Sequence, residues 1–237
     1  MIGLGTMINM ACIVGGGVFG LLFGRFIPAR VQDGLNTACG VSVLFVGIAG
    51  GLTGMLAVTE NGLETANSLF VVIALAAGTL LGEGIDLEKY MERLGSWLKQ
   101  KTGNAKDASF VGAFVTASLT VCVCAMAVVG SLQDGLTGDY SLLATKGLMD
   151  LILIMVMACT LGKGAVFSAI PLGLIQGSIT LLASLLRPYV TDAAMHNLSF
   201  IGSILIFCVG LNIVFDRKIR VANMLPALIF AIAAAFI

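Results

Sequence analysis

The chain has 237 residues, 58% of them hydrophobic and 11% charged, with a mean hydropathy of +1.04. Soluble domains carry about 25% charged residues, so this chain lacks the polar surface to cover a water-soluble particle, and its apolar runs are expected to face lipid. Lys plus Arg and Asp plus Glu balance at 13 each, which gives no reason to expect a nucleic-acid partner; the bilayer is the expected surrounding.

A helix needs about 20 apolar residues to cross a bilayer core of about 30 Å, and it satisfies its own backbone groups there. Eight stretches qualify: residues 2–24, 39–58, 67–84, 108–131, 143–161, 165–186, 198–215 and 221–237. The first has no basic region ahead of it and no clear small-residue cleavage site, so it reads as a retained span rather than a signal peptide. The fifth and sixth are divided only by Gly162-Lys163-Gly164, a tight turn, which leaves Pro171 early in the sixth, where proline is tolerated or kinks the helix. The expected fold is all-α, a polytopic transmembrane bundle.

The charges between spans orient the bundle. With the N-terminus outside, every Lys and Arg except Lys146 and Arg187 falls in a cytoplasmic connection, a strong positive-inside pattern. Both termini are then outside. The connection 85–107 repeats Leu87, Met91, Leu94 and Leu98 at helical spacing beside Trp97, with charges on its other faces. It reads as an amphipathic helix in the cytoplasmic interface.

An internal repeat runs through the apolar segments. GVFGLLFGRFIP at 17–28 parallels GSITLLASLLRP at 177–188; Phe45-Val46-Gly47-Ile48 parallels Cys208-Val209-Gly210-Leu211; Ala66-Asn67-Ser68-Leu69 parallels Ala222-Asn223-Met224-Leu225. Spans 1–3 thus match spans 6–8, and a shift of five spans inverts one unit relative to the other. The chain divides accordingly into 1–84, a first repeat; 85–107, the interfacial helix; 108–164, two central spans; and 165–237, an inverted second repeat. Inverted repeats recur in secondary transporters.

The central stretch AMAVVGSLQDGLTGDYSLLATKGLMD at 125–150, with Gly5-Thr6-Met7-Ile8-Asn9 and LIQGSITLL at 174–182, resembles the YdfK/YqgA-like bacterial membrane proteins, domain of unknown function 554. The resemblance spans nearly the whole chain. It implies a multi-pass protein of the bacterial inner membrane and a transport role, without a substrate or site residues to carry over.

Ionisable groups within spans are costly enough to need a reason. Lys146 and Asp150 stand at i and i+4 on the fifth span, and Asp134 and Asp139 lie in a glycine-rich connection from 130 to 139. Read structurally, these are a neutralising pair and two solvated loop or capping groups. Read functionally, they form a cation or proton site, although no spacing identifies a metal. Asn9 on the first span and Gln176, Ser178 and Thr180 on the sixth form a second polar set, able to meet near the midplane, with Gly15, Gly16, Gly17 and Gly177 permitting close approach. Asn67 and Asn223 read as helix N-caps. Gly47, Gly50, Gly51 and Gly54 suit tight helix packing, within one chain or in a homo-oligomer. The six cysteines, Cys12, Cys39, Cys122, Cys124, Cys159 and Cys208, read as small apolar filling. With the one histidine, His196, in an outer loop and no H-E-x-x-H or nucleophile elbow, no enzyme and no cofactor are expected. A carrier of a small solute or ion is the leading expectation, a channel the alternative, and a structural or regulatory membrane protein the third.

Overall fold

The computed structural model describes residues 2–59, 62–187, 191–215 and 219–236. Its helices are α1 Leu4–Gly24, α2 Ala29–Met55, α3 Ser68–Ile85, α4 Leu87–Lys101, α5 Phe110–Cys122, α6 Ala125–Thr137, α7 Ser141–Leu161, α8 Ala169–Leu181, α9 Ala183–Leu186, α10 Asp192–Phe215, α11 Val221–Met224 and α12 Ala227–Ala233. Lys163–Ser168 forms a 3-10 turn that leads into α8. Pro171 sits in the first turn of α8, where its missing N–H has no partner to lose.

The fold is an all-α polytopic membrane bundle. Six helical segments are long and apolar enough to cross a bilayer: α1, α2, α3, α7, the run Lys163–Leu181, and α10. A seventh forms if α5 and α6, bent by 62° at their junction, count as one span; Val221–Phe236 is a shorter apolar helix. Their outer surfaces carry large apolar side chains, among them Phe23, Phe45, Leu69, Leu80 and Leu181. In water such a surface would drive aggregation, whereas lipid solvates it.

Several boundaries differ from the sequence reading. The second span starts ten residues sooner, at Ala29, so Arg30 lies in its first turn. It ends in a short antiparallel hairpin, β1 Leu56–Thr59 and β2 Gly62–Thr65, in register Leu56 to Thr65. The seventh span begins at Asp192, which puts His196 on α10 rather than in a loop. Residues 130–137, read as a connection, are the second half of α6. Helix α4 forms as expected and leaves Trp97 half exposed, yet its apolar face is not free for lipid: Met91, Leu94 and Leu98 pack on Phe110, Phe114 and Phe167.

The described residues group into two compact units that interleave along the chain: residues 1–39, 89–122 and 126–187, and residues 40–88, 123–125 and 188–237. In unit 1, α1 lies parallel to α7. Side chains are excluded from this seam, because a Cβ at Gly16 would come within 2.2 Å of the Leu151 carbonyl oxygen and one at Gly20 within 2.1 Å of that of Met155. The start of α1 meets the end of α8, Asn9 beside Gln176, while Gly17 faces Val166 in the turn before α8; the two run antiparallel. In unit 2, α2 and α10 are antiparallel, with Gly40 against Ile213 and Val214, Gly47 against Phe207 and Gly54 against Phe200. Helix α3 runs antiparallel to α11 and α12, with Gly82 on Asn223 and Gly78 on Ala227. Small residues let backbones approach closely enough for dispersion contacts to hold helices together in lipid. Gly15 and Gly177 border open space and take no part.

Candidate functional site

Asp150 lies ten residues into the 21-residue α7, about 14 Å along its axis from Ser141 at 1.5 Å per residue. That is close to half the depth of a bilayer core. The carboxylate pairs with the Lys146 ammonium one turn earlier, and the two residues are only 6% and 3% exposed. The spacing i, i+4 places both on one helix face. Lys146 Nζ also donates to the Val121 carbonyl oxygen at 3.0 Å.

The Val121 contact explains the broken span. In a continuous helix the Val121 carbonyl would accept the N–H of Ala125, four residues on. The lysine ammonium takes that place, α5 stops at Cys122, and α6 leaves at an angle. Kinks of this size have identifiable causes, and a side chain inserted into the i to i−4 ladder is one of them. No proline or glycine marks the break in the sequence Val121-Cys122-Val123-Cys124-Ala125.

Asn9 reaches the same place from α1. A Cβ at Gly147, between Lys146 and Asp150 in sequence, would lie 3.2 Å from the Asn9 Cα. The Asn9 side chain contacts the Asp150 carboxylate and donates from Nδ2 to Gln176 Oε1 at 3.4 Å. The two amides leave complementary valences open: Asn9 Oδ1 and Gln176 Nε2 are buried without a partner, as are the hydroxyls of Thr6, one turn before Asn9, and Ser118 on α5. Each unpaired buried polar atom costs roughly 1–3 kcal/mol, so the two open amide valences, on side chains that already touch, suit a polar guest.

The remaining expected residues divide. Thr180 lies one turn beyond Gln176, buried, and donates to the Ser131 carbonyl at 3.1 Å. Ser178 is on the other side of α8, exposed and bonded back to Leu174, and is not part of the cluster. Asp134 is not a solvated loop residue. It is wholly buried on α6 and accepts the backbone N–H groups of Gly3 at 3.2 Å and Gly5 at 3.0 Å. A carboxylate there satisfies two of the orphan donors at the start of α1 and meets the positive end of its dipole. Asp139 lies in the short connection to α7, exposed, with Oδ1 accepting the Ser141 N–H at 3.0 Å. Ser141, through its hydroxyl and then its backbone N–H, holds the Asp139 carboxyl below its ordinary value.

Neither asparagine caps its own helix. Asn67, in left-handed conformation at φ 61°, precedes α3 without capping it and donates to Gly54 O. Asn223 is buried in α11 and accepts the N–H of Glu88, so it caps the start of α4. Among the described residues no three His, Cys, Asp or Glu side chains gather as a metal site. Sequence reasoning missed Thr6, Ser118 and Ser131 in this unit; each is a hydroxyl in an apolar run, which was the available signal. The Val121 carbonyl had none. A separate groove of about 530 Å³, at the ends of α1 and α7, is lined by Gly20, Gly24, Arg25, Asp107, Cys159 and Lys163 among others and does not include the buried pair.

Six or seven membrane-spanning segments, a buried ion pair, an apolar helix pair bent at its junction and unfilled amide valences define a multi-pass membrane protein with a polar interior. Comparison with known proteins narrows this. The family described as a protein of unknown function, DUF554, matches residues 4–236, and the chain belongs to that family. It is 30% identical over 232 residues to the uncharacterized protein YqgA of Escherichia coli K12, covering 96% of this chain and 94% of that one. It is likewise 30% identical to the uncharacterized membrane protein YdfK of Bacillus subtilis 168, over 98% and 96% of the two chains. No solved structure matches.

Proposed function

We propose that the protein is a carrier for a small solute or ion, which exposes the polar cluster of α1, α7 and α8 to one side of the membrane at a time. The observation that carries this reading is the Lys146–Asp150 pair, buried in a span and inserted into the hydrogen-bond ladder of another. Ionisable residues inside spans mark pathways and sites, and discontinuous helices that free backbone carbonyls near mid-membrane are a means by which carriers bind their cargo. The pairing of helices supports it as well. Each span matched by the internal repeat packs antiparallel against its counterpart: α1 with α8, α2 with α10, and α3 with α11 and α12. Antiparallel pairing of matched spans is what an inverted repeat is expected to give within each unit. The distribution of Lys and Arg supports an orientation with both termini outside, and the similarity to bacterial relatives supports an inner-membrane setting.

The test is flux into vesicles holding the purified full chain, measured across a panel of amino acids, small carboxylates, sugars and monovalent ions. A carrier gives saturable uptake and counterflow for one class. Gln176→Leu, which removes the open amide at nearly constant volume, is expected to cut that uptake at least tenfold while changing stability by only about 1 kcal/mol. Steep, non-saturating conductance makes the protein a channel instead. No flux of any member of the panel through folded protein overturns transport.

A further inference from the structure

We infer that the Lys146 ammonium is a tethered stand-in for a free alkali cation: the oxygens around it form a monovalent-cation site that the chain fills with its own side chain. The inference deepens the reading of this polar cluster as the working site, though it depends on the site and not on flux.

Two oxygens of the kind an alkali ion takes already hold the ammonium. The ammonium is held by a carboxylate oxygen of Asp150 and the carbonyl oxygen of Val121. The Asn9 amide, on the neighbouring helix at the level of Gly147, contacts the Asp150 carboxylate; its oxygen makes no hydrogen bond to the ammonium and has no other partner. These are hard oxygen donors, and an ammonium group is close to K⁺ in size and equal to it in charge. The cysteines nearby, Cys12 and Cys122, are soft donors and contribute nothing to such an ion.

Electrostatics favours a cation at this point, in competition with protonation of the carboxylate. Asp150 contributes a full negative charge. Val121 lies in the last turn of α5, where the helix dipole adds the equivalent of roughly half a charge of the same sign. Lys146 is the one buried Lys or Arg among the described residues, so no neighbouring cation would take its place if it were removed. Attachment to the same helix as the carboxylate gives the ammonium a permanently high effective concentration. Consequently the wild type needs no dissolved cation here, whereas a chain without Lys146 neutralises Asp150 with either a proton or a dissolved cation, and the second outcome is the one inferred.

The experiment is thermal unfolding of the full chain in detergent, in NaCl, KCl or choline chloride at constant ionic strength. The wild type is expected to melt alike in all three. Lys146→Ala is expected to melt lower in choline and to recover in a saturable way with Na⁺ or K⁺. The recovery should be on the order of 5–10 °C when the ion is at about 100 times its Kd. Lys146→Ala/Asp150→Asn, which lacks the carboxylate, should show no response. An alkali-specific shift in the wild type overturns the inference, as does an unresponsive single variant or a double variant that responds equally. If Lys146→Ala aggregates in choline, monodisperse recovery in Na⁺ or K⁺ supports the inference. Aggregation in all three salts, beside a monodisperse double variant, overturns it. Because the readout is unfolding, a failure here is distinct from an absence of transport.

Discussion

In unit 1, Gly16 and Gly20 bring α1 onto the backbone of α7; in unit 2, Gly47 and Gly54 bring α2 onto α10, and Gly78 and Gly82 bring α3 onto α12 and α11. The helix packing is of one kind, but the material enclosed is not. Thr6, Asn9, Ser118, Thr120, Ser131, Asp134, Lys146, Asp150, Ser168, Gln176 and Thr180 are all buried in unit 1, whereas Asn223 is the one buried polar side chain among the described residues of unit 2. The ion pairs of unit 2, from Arg220 to Glu83 and Asp86, join partly exposed side chains. Unit 2 therefore demonstrates that this chain packs helices in lipid without burying charge. The charge within unit 1 is not a by-product of packing, and this is what makes it a candidate site.

The comparison can be broken most sharply at the shared seams. Gly20→Leu in unit 1 and Gly82→Leu in unit 2 each drive a side chain into a carbonyl, the latter with its Cβ 1.8 Å from the Asn223 oxygen. Both are expected to cost more than about 4 kcal/mol and to abolish monodisperse protein on size-exclusion chromatography. If one is tolerated, the two units do not share a packing mode.

The next effect separates the units. Asp150→Asn strands a buried ammonium and should cost about 3–5 kcal/mol, whereas Arg220→Gln should cost at most about 1 kcal/mol, because its partners are solvated. Equal melting temperatures for the two variants would remove the contrast. Within unit 1, Asp134→Asn should lose about 1–2 kcal/mol by weakening the clamp on the first turn of α1. Faster amide exchange at Gly3 and Gly5 would locate the effect, and unchanged exchange there would refute the clamp.

The smallest effect concerns Asp139, which is fully exposed. Its carboxyl titrates below its ordinary 3.8 when folded, so its contribution is complete above that value and is lost as pH falls through the lower folded value. In melting curves taken across pH, Asp139→Asn should show a slight loss of stability at neutral pH that vanishes as the wild-type carboxyl protonates, flattening the acid limb.

The individual segments show where reading the chain succeeds and where it stops. The amphipathic period of Met91, Leu94 and Leu98 was correct for α4, but the same apolar stripe suits lipid or Phe110 and Phe114 equally, so its partner was not legible. Asn9 and Gln176 were legible as a pair because polar residues in apolar spans are rare and the repeat aligned their helices. Asp134 acts as a cap, one of its two structural readings, but not from a loop: the glycines around it, Gly130, Gly135 and Gly138, resemble a connection in sequence, whereas Gly135 lets α6 approach Thr180 and Ala183 on α8 and α9. Ser178 was grouped with Gln176 by proximity in sequence, yet two residues along a helix turn a side chain by about 200°.

Sequence alone determined that this chain lives in a membrane, roughly where its helices run and which polar residues are out of place there. Those properties are local, since transfer into lipid is decided by the composition of each 20-residue window. Only the tertiary structure decided that α5 stops at Cys122, that Asp134 holds the start of α1, and that Lys146 completes a ladder on another span. Each depends on a hydrogen bond between groups tens of residues or more apart in sequence, and no window of the chain contains both ends of such a bond.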